Sequence, residues 1–360
     1  GELEYLPLGT VTEKAEIALN DAVLTNAELV KAYTETLEPI FPAKSPKSET
    51  PKDLLDQPLY KRELPLTAPV NIAKPKVFIP VFPGQNCEYD TARAFDLAGA
   101  ESNVFIIRNL TAQAIEETIQ EMVKGIRESQ IIMLPGGFSA GDEPDGSGKF
   151  IATMFRNPRI AEAVNDLLKN RDGLMLGICN GFQALIKTGL VPYGEIKEAS
   201  EDLPTLTFNT IGRHISRVVR TRVVSAISPW AQDETVLTPA CHLIPVSHGE
   251  GRIIVSESEA KRLFENGQIF SQYVVHEEDR GIFPTMVEPH NPNGSMYAIE
   301  GMTSPDGRVL GKMGHNERTV GLDENGSSQD LIKNIAGFPV NSRIESSCQN
   351  IFRAGVRYFK

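Results

Sequence analysis

From residue 76 to residue 189 the chain alternates short apolar runs with longer amphipathic stretches, and few folds accommodate that alternation. KVFIPVF, NVFIIRN, QIIMLPGG and GLMLGI have the length and composition of buried strands. Between them, YDTARAFDLAG closes on Gly99, and TAQAIEETIQEMVKGIRES puts Ile115, Ile119, Met122, Val123 and Ile126 on one face. RIAEAVNDLLKN and GFQALIKTG continue the pattern. Strands that are apolar on both faces need cover on both sides, which helical crossovers supply. The prediction is therefore an α/β fold with a mostly parallel, doubly wound sheet. Such sheets place ligands at the carboxyl ends of their strands. The sharpest features of the sequence fall there: PGQNC after the first strand, PGGFSAGD after the third and CNG after the fourth.

The rest of the chain has a different texture. Beyond residue 204, LTFNTIGRHISRVVRTRVVSA and HLIPVSHGEGRIIVS alternate as antiparallel strands do. SMYAIEGMTSPDGRVLGKMGHNER predicts a hairpin around Ser304-Pro305-Asp306-Gly307. These added antiparallel strands should extend the parallel sheet. Upstream, residues 1–42 suit a strand (LGTVTEKAEIALN) and a helix (LTNAELVKAYTETLEPIF) with Ala27, Val30 and Leu37 on one stripe. Residues 43–75 are dense in Pro, Lys and Ser with little periodicity, the composition of an extended linker. The main domain is thus expected over 76–360.

Charge and cysteine usage exclude several classes. A formal net charge of −11 argues against nucleic-acid binding, which draws its affinity from clustered Lys and Arg. No run of 18 apolar residues is present, so no membrane association is expected. The first residues, Gly1-Glu2-Leu3-Glu4, lack the features of a secretion signal and an initiator Met, as in a processed chain or a fragment. Cys87, Cys179, Cys241 and Cys348 share no close spacing, so neither a disulfide scaffold nor a metal site is suggested. The compartment reads as reducing and cytoplasmic. The sequons at Asn109, Asn293 and Asn325 are then chance occurrences.

Cys179 is the leading candidate for chemistry. Gly177-Ile178-Cys179-Asn180-Gly181 joins a strand to a helix at a corner that would hold the sulfur above the sheet. It would also lie at a helix N-terminus, which attracts negative charge. A cysteine nucleophile needs a base, and the base an orienting group. In KMGHNERT, Glu317 follows His315 by two residues, so in an extended segment both would face one side. The spacing alone better suits a surface histidine beside a solvated glutamate. Backbone N–H groups of Gly137 and Asn180 are the natural donors to an oxyanion, although Gly136-Gly137 also reads as an ordinary glycine turn. SHGEGR is not a zinc-protease motif, and DGSGKF, residues 145–150, lacks the Ser or Thr that a phosphate loop carries after Lys149. Arg213, His214, Arg217 and Arg220 form a basic cluster that suits either an anion or a solvated strand face.

Taken together, FPGQNCEYDTARAFDLAGA, LPGGFSAGD, GICNGFQ, VSHGEGR and NPNGSMYAIEGMTSPDGRVLGKMGHNER resemble the class I (triad) glutamine amidotransferase domain of phosphoribosylformylglycinamidine synthases. The resemblance runs from about Lys76 to Lys360, and the hairpin resembles the long, fused form of that family. It implies a flavodoxin-like sheet and a glutaminase of purine biosynthesis. It implies Cys179 as nucleophile, His315 as proton carrier, Glu317 as its orienter, and Gly137 and Asn180 as the oxyanion hole. Phe182, Gln183, Ser247, His248 and Gly249 would line a glutamine pocket. The ammonia would pass to a synthetase of the same enzyme, and ATP and Mg would be needed only there, so no cofactor is expected in this chain. Residues 1–42 would be the tail of that synthetase region. Cys87 also belongs to the family pattern and reads as a structural residue of its turn. One departure stands out. The family often has Pro on both sides of the histidine, where this chain has Gly314 and Asn316, so a more mobile loop is expected. Two rival readings are another cysteine hydrolase of the same fold and a non-catalytic regulatory module.

Overall fold

The computed structural model describes residues 7–35, 56–61, 67–141, 148–198, 203–319, 345–346 and 349–360. Leu37, residues 43–55 of the linker stretch, the first residues of DGSGKF, Asn325 and Cys348 lie outside them. The chain forms two compact units, Gly1–Ser45 and Pro46–Lys360.

In the first unit, β1 (Glu16–Leu19) and β2 (Ala22–Thr25) pair antiparallel, and α1 (Asn26–Glu35) follows. Thr25 and Glu28 form a reciprocal cap: Thr25 Oγ1 accepts from Glu28 N at 3.2 Å, and Glu28 Oε2 accepts from Thr25 N at 2.8 Å.

The second unit opens with the predicted alternation: β3 (Lys76–Val81), α2 (Glu88–Leu97), β4 (Glu101–Ile106), α3 (Ala112–Glu128) and β5 (Ile131–Leu134). Next come α4 (Lys149–Phe155), α5 (Pro158–Asn170), β6 (Leu174–Ile178) and α6 (Asn180–Thr188). Thr111 caps α3, and Asn157 with Pro158 opens α5, as the local sequence favours. Every residue of β5 and β6 is buried, which accounts for their unbroken apolar runs. Helix α4 has no counterpart in the sequence reading.

The chain continues with α7 (Leu190–Tyr193), β7 (Thr205–Thr207), β8 (Ile215–Val223), α8 (Glu234–Leu237), β9 (Cys241–His248), β10 (Arg252–Ile254) and α9 (Glu257–Glu265). Then follow β11 (Ile269–Glu277), β12 (Gly281–Pro284), β13 (Ile299–Thr303), β14 (Val309–Lys312), β15 (Glu345–Ser346) and a last helix, Ile351–Arg357. The sheet order is β15-β9-β8-β11-β13-β14-β6-β5-β3-β4, with β12 beside β11.

From β4 to β14 all neighbours run parallel, and from β14 to β9 all run antiparallel. The predicted hairpin is β13–β14. Its second strand does more than extend the sheet, because it lies parallel to β6 with Lys312 opposite Ile178. The strand before His315 therefore ends beside the strand before Cys179.

Part of the stretch read as linker is stitched to this unit. Tyr60 N donates to Val224 O at 2.8 Å, and Ala68 N and Ile72 N donate to Tyr358 O and Phe359 O at 2.8 and 2.6 Å. Among the described residues no helix is long and apolar enough to cross a membrane.

Candidate active site

Cys179 sits between β6 and α6 with φ 52° and ψ −106°, a backbone conformation that side-chain-bearing residues rarely adopt. Its N–H donates to Lys312 O at 2.8 Å, and its carbonyl accepts from Gln183 N at 3.0 Å. The corner is tight because α6 starts directly against β5: a Cβ on Gly181 would lie 2.0 Å from Leu134 O. Asn180 is the first residue of the helix. Asn180 Oδ1 accepts from Gln85 Nε2 at 3.2 Å and from Ser139 N at 3.3 Å. Gln85 Nε2 also donates to Pro135 O at 2.7 Å, so the turns after β3, β5 and β6 are locked together. Gln85 is a part of the site that the sequence reading missed. Gly137, with φ 130°, pairs with Gln85 across the same junction.

His315 and Glu317 meet at this place. A Cβ on Gly136 would lie 2.7 Å from His315 Cε1 and 3.4 Å from Cys179 Cβ, so the absence of a side chain there lets the imidazole approach the cysteine. His315 Nδ1 is 2.5 Å from Glu317 Oε1, and both side chains are buried. The expected extended segment is absent, however. Asn316–Arg318 form a 3-10 turn, and the turn rather than strand alternation brings the carboxylate to the ring. Burial alone would push His315 down, but Glu317 and then Cys179 outweigh it and hold the imidazolium well above its ordinary range.

The expected pocket residues divide. Cys179 Sγ is 3.7 Å from Ser247 O, and Ser247 Oγ is 3.0 Å from His214 Nε2. Gln183 Nε2 donates to Glu250 O at 2.6 Å, and Gln183 Oε1 accepts from Asn180 Nδ2 at 3.0 Å. His248 is buried, and that burial pulls it down to about 3, so it is neutral near pH 7. Gly249 O accepts from Asn209 N at 2.8 Å. Phe182 is fully buried beneath β14, where a Cβ on Gly311 would fall 2.0 Å from its ring.

Asn209, a second residue missed, organises this wall. Its Nδ2 donates to His248 O at 2.8 Å and Arg213 O at 3.1 Å, and its Oδ1 accepts from Gly251 N at 3.1 Å. Nothing in its local sequence distinguishes it. The basic cluster does not act as one group, since Arg220 is buried while Arg213 and Arg217 are exposed. Cys87 Sγ lies 3.9 Å from His315 Nδ1, and Cys87, His315 and Glu317 bring ligand-type atoms within 4.8 Å of one another. Arg318 Nη2 donates to Cys87 Sγ at 3.4 Å, and a guanidinium beside the sulfur opposes a metal cation.

Residues 74–359 match the family model described as the CobB/CobQ-like glutamine amidotransferase domain. The chain is 34% identical to the "Phosphoribosylformylglycinamidine synthase subunit PurQ" of Methanococcus maripaludis, over 79% of this chain and 98% of that protein. It is 32% identical to the protein of the same name from Treponema denticola, over 79% of this chain and 99% of that one. A solved structure described as PurLQS from Thermotoga maritima shares the fold, with a TM-score of 0.52 and 24% identity over 80% of this chain and 100% of that one. With its motifs, sheet and family match in agreement, the chain belongs to the CobB/CobQ-like glutamine amidotransferase family.

Proposed function

We propose that this chain is the glutaminase component of phosphoribosylformylglycinamidine synthase, supplying ammonia for de novo purine biosynthesis. Its relatives over nearly their whole length carry that enzyme's subunit name. The observation that carries the reading is the meeting of Cys179, His315 and Glu317 around Gly136, at the carboxyl ends of β6 and β14.

Cys179 Sγ gives its proton to His315 and attacks the side-chain amide carbon of glutamine, and the carbonyl oxygen becomes an oxyanion held by the N–H groups of Gly137 and Asn180. The C–N bond breaks as His315 gives its proton to the departing nitrogen, leaving ammonia and a γ-glutamyl thioester. His315 then takes a proton from water, which attacks the thioester and releases glutamate. Glu317 keeps the imidazole turned towards Cys179. Gln183 and the Ser247-His248-Gly249 strand end form the wall against which glutamine lies. Cys87 is a structural neighbour of His315.

The consumer of the ammonia is an ATP-dependent synthetase, and the relatives' naming as a subunit supports a partner of that kind. Residues 1–42 fit the tail of a synthetase region, joined through 43–75. The setting is cytoplasmic. The test is an ammonia-release assay on the chain with glutamine, with and without the synthetase, its ATP and its substrate. Glutamine hydrolysis that rises when the synthetase turns over is the expected result. A chain that releases no ammonia in either condition would refute the reading.

A further inference from the structure

The loop carrying His315 is gripped by a chain of fully buried polar groups. Lys312, Glu300, Asn316 and Gln349 all have no solvent exposure. Lys312 Nζ lies 3.6 Å from Glu300 Oε1, and it donates to Asn316 Oδ1 at 2.5 Å and Gln349 Oε1 at 3.0 Å. Asn316 Nδ2 donates to Gln349 O at 2.9 Å and to Gln349 Oε1 at 2.7 Å. Glu300 Oε1 accepts from Gly314 N at 2.7 Å. Both residues flanking His315 are thus held. The same Lys312 accepts the Cys179 N–H on its carbonyl, so one residue links the nucleophile's corner to the histidine's loop.

A buried ion pair adds little stability over apolar residues of the same size. Its place beside His315 therefore needs another reason. We propose that Asn316, anchored by Lys312, Glu300 and Gln349, is a positioning residue that fixes the His315 loop against Cys179 in place of a proline restraint. The proposal rests on Cys179, His315 and Glu317 being the catalytic set. The expected mobility of this loop is not what its hydrogen bonds describe. Proline is also barred at 314, where the N–H is in use and a Cβ would lie 2.5 Å from Ile244 Cγ2. Position 316 opens a 3-10 turn, where proline is tolerated at the loss of one local bond, from Asn316 N to Gly314 O at 3.2 Å.

The test compares Asn316→Ala with Asn316→Pro in the intact chain, reading kcat and KM for glutamine hydrolysis. Both remove the same side-chain bonds; proline also gives up the N–H bond to Gly314 O, but it alone returns a backbone restraint. Asn316→Ala is expected to lower kcat on the order of 10- to 100-fold with KM within about twofold. Asn316→Pro should recover kcat to within about threefold of the parent. Equal losses in the two variants, or full activity of Asn316→Ala, overturn the proposal. If Asn316→Ala does not fold, Gln349→Ala should show the same loss of kcat, and full activity there overturns it. Cys179→Ala in the same series separates the two levels. Activity surviving in Cys179→Ala refutes the catalytic reading and this proposal with it, whereas an inactive Cys179→Ala beside a fully active Asn316→Ala refutes the proposal alone.

Discussion

Glu317 Oε1 lies 2.5 Å from His315 Nδ1, out of reach of solvent, and this contact fixes which ring nitrogen is left for Cys179. Glu317→Gln keeps the shape and removes the charge. Its largest consequence is on His315, whose upward shift depends first on Glu317 among the groups that raise it. The expected result is a kcat lower on the order of 100-fold or more with little change in KM. Proton titration of the His315 ring by NMR should move to lower pH. A variant within threefold of the parent would contradict the role given to Glu317.

The strand–helix corner predicts a steric effect. Gly181→Ala would drive a methyl group to 2.0 Å from Leu134 O, against backbone that cannot swing aside. The variant should lose roughly 1–3 kcal/mol or more of stability, seen as a lower thermal midpoint. An unchanged midpoint would mean that α6 does not start where described.

Asn209 ties the strand end carrying His248 to the turn at Gly251. Asn209→Ala leaves these buried groups without partners, at a cost of about 1–3 kcal/mol. Because that turn also carries the Glu250 carbonyl that holds Gln183, KM for glutamine should rise more than kcat falls. Steady-state kinetics decides the point, and a pure kcat defect would go against it.

Two buried histidines predict how stability changes with pH. His242 and His248 are lowered by burial from 6.5 to about 4 and about 3. As pH falls below 6.5 the unfolded chain takes up protons that the folded chain refuses, so stability falls. Each histidine contributes at most about 1.4 kcal/mol per pH unit, so the pair loses about 4 kcal/mol at most between pH 7 and pH 5. His315 is shifted the other way: its contribution is fully present below about pH 6.5 and is lost as pH rises through its raised folded value. Urea unfolding at pH 7 and pH 5 tests the sign, and equal or greater stability at pH 5 would contradict it.

The parallel half of the sheet was legible because each buried strand and each amphipathic helix carries its own local period. The placement of β14 beside β6 was not, because nothing within 130 or so residues of intervening chain encodes that pairing locally. Cys179, His315 and Glu317 stand in dense motifs, and the structure brings them together. Gln85, Asn209 and Lys312 act through long-range hydrogen bonds, and single polar residues give no pattern to read. Phe182 was placed at a pocket by the resemblance, and its helical position turns its ring under Gly311. The Gly314-His315-Asn316 loop was expected to be loose because proline is missing. The sequence could not show that buried side chains from β13, β14 and residue 349 hold it instead.

The central claim is that Cys179, and not Cys87, is the nucleophile for glutamine. Both thiols lie near His315, so site-resolved labelling is the most direct measurement. The intact chain is treated with a chloroketone analogue of glutamine, and the modified peptide is located by mass spectrometry. The account predicts one modification, on Cys179, suppressed by glutamine and absent in Cys179→Ala, with Cys87→Ala labelled as the parent is. Labelling of Cys87, or labelling of Cys179 that glutamine does not suppress, would contradict it.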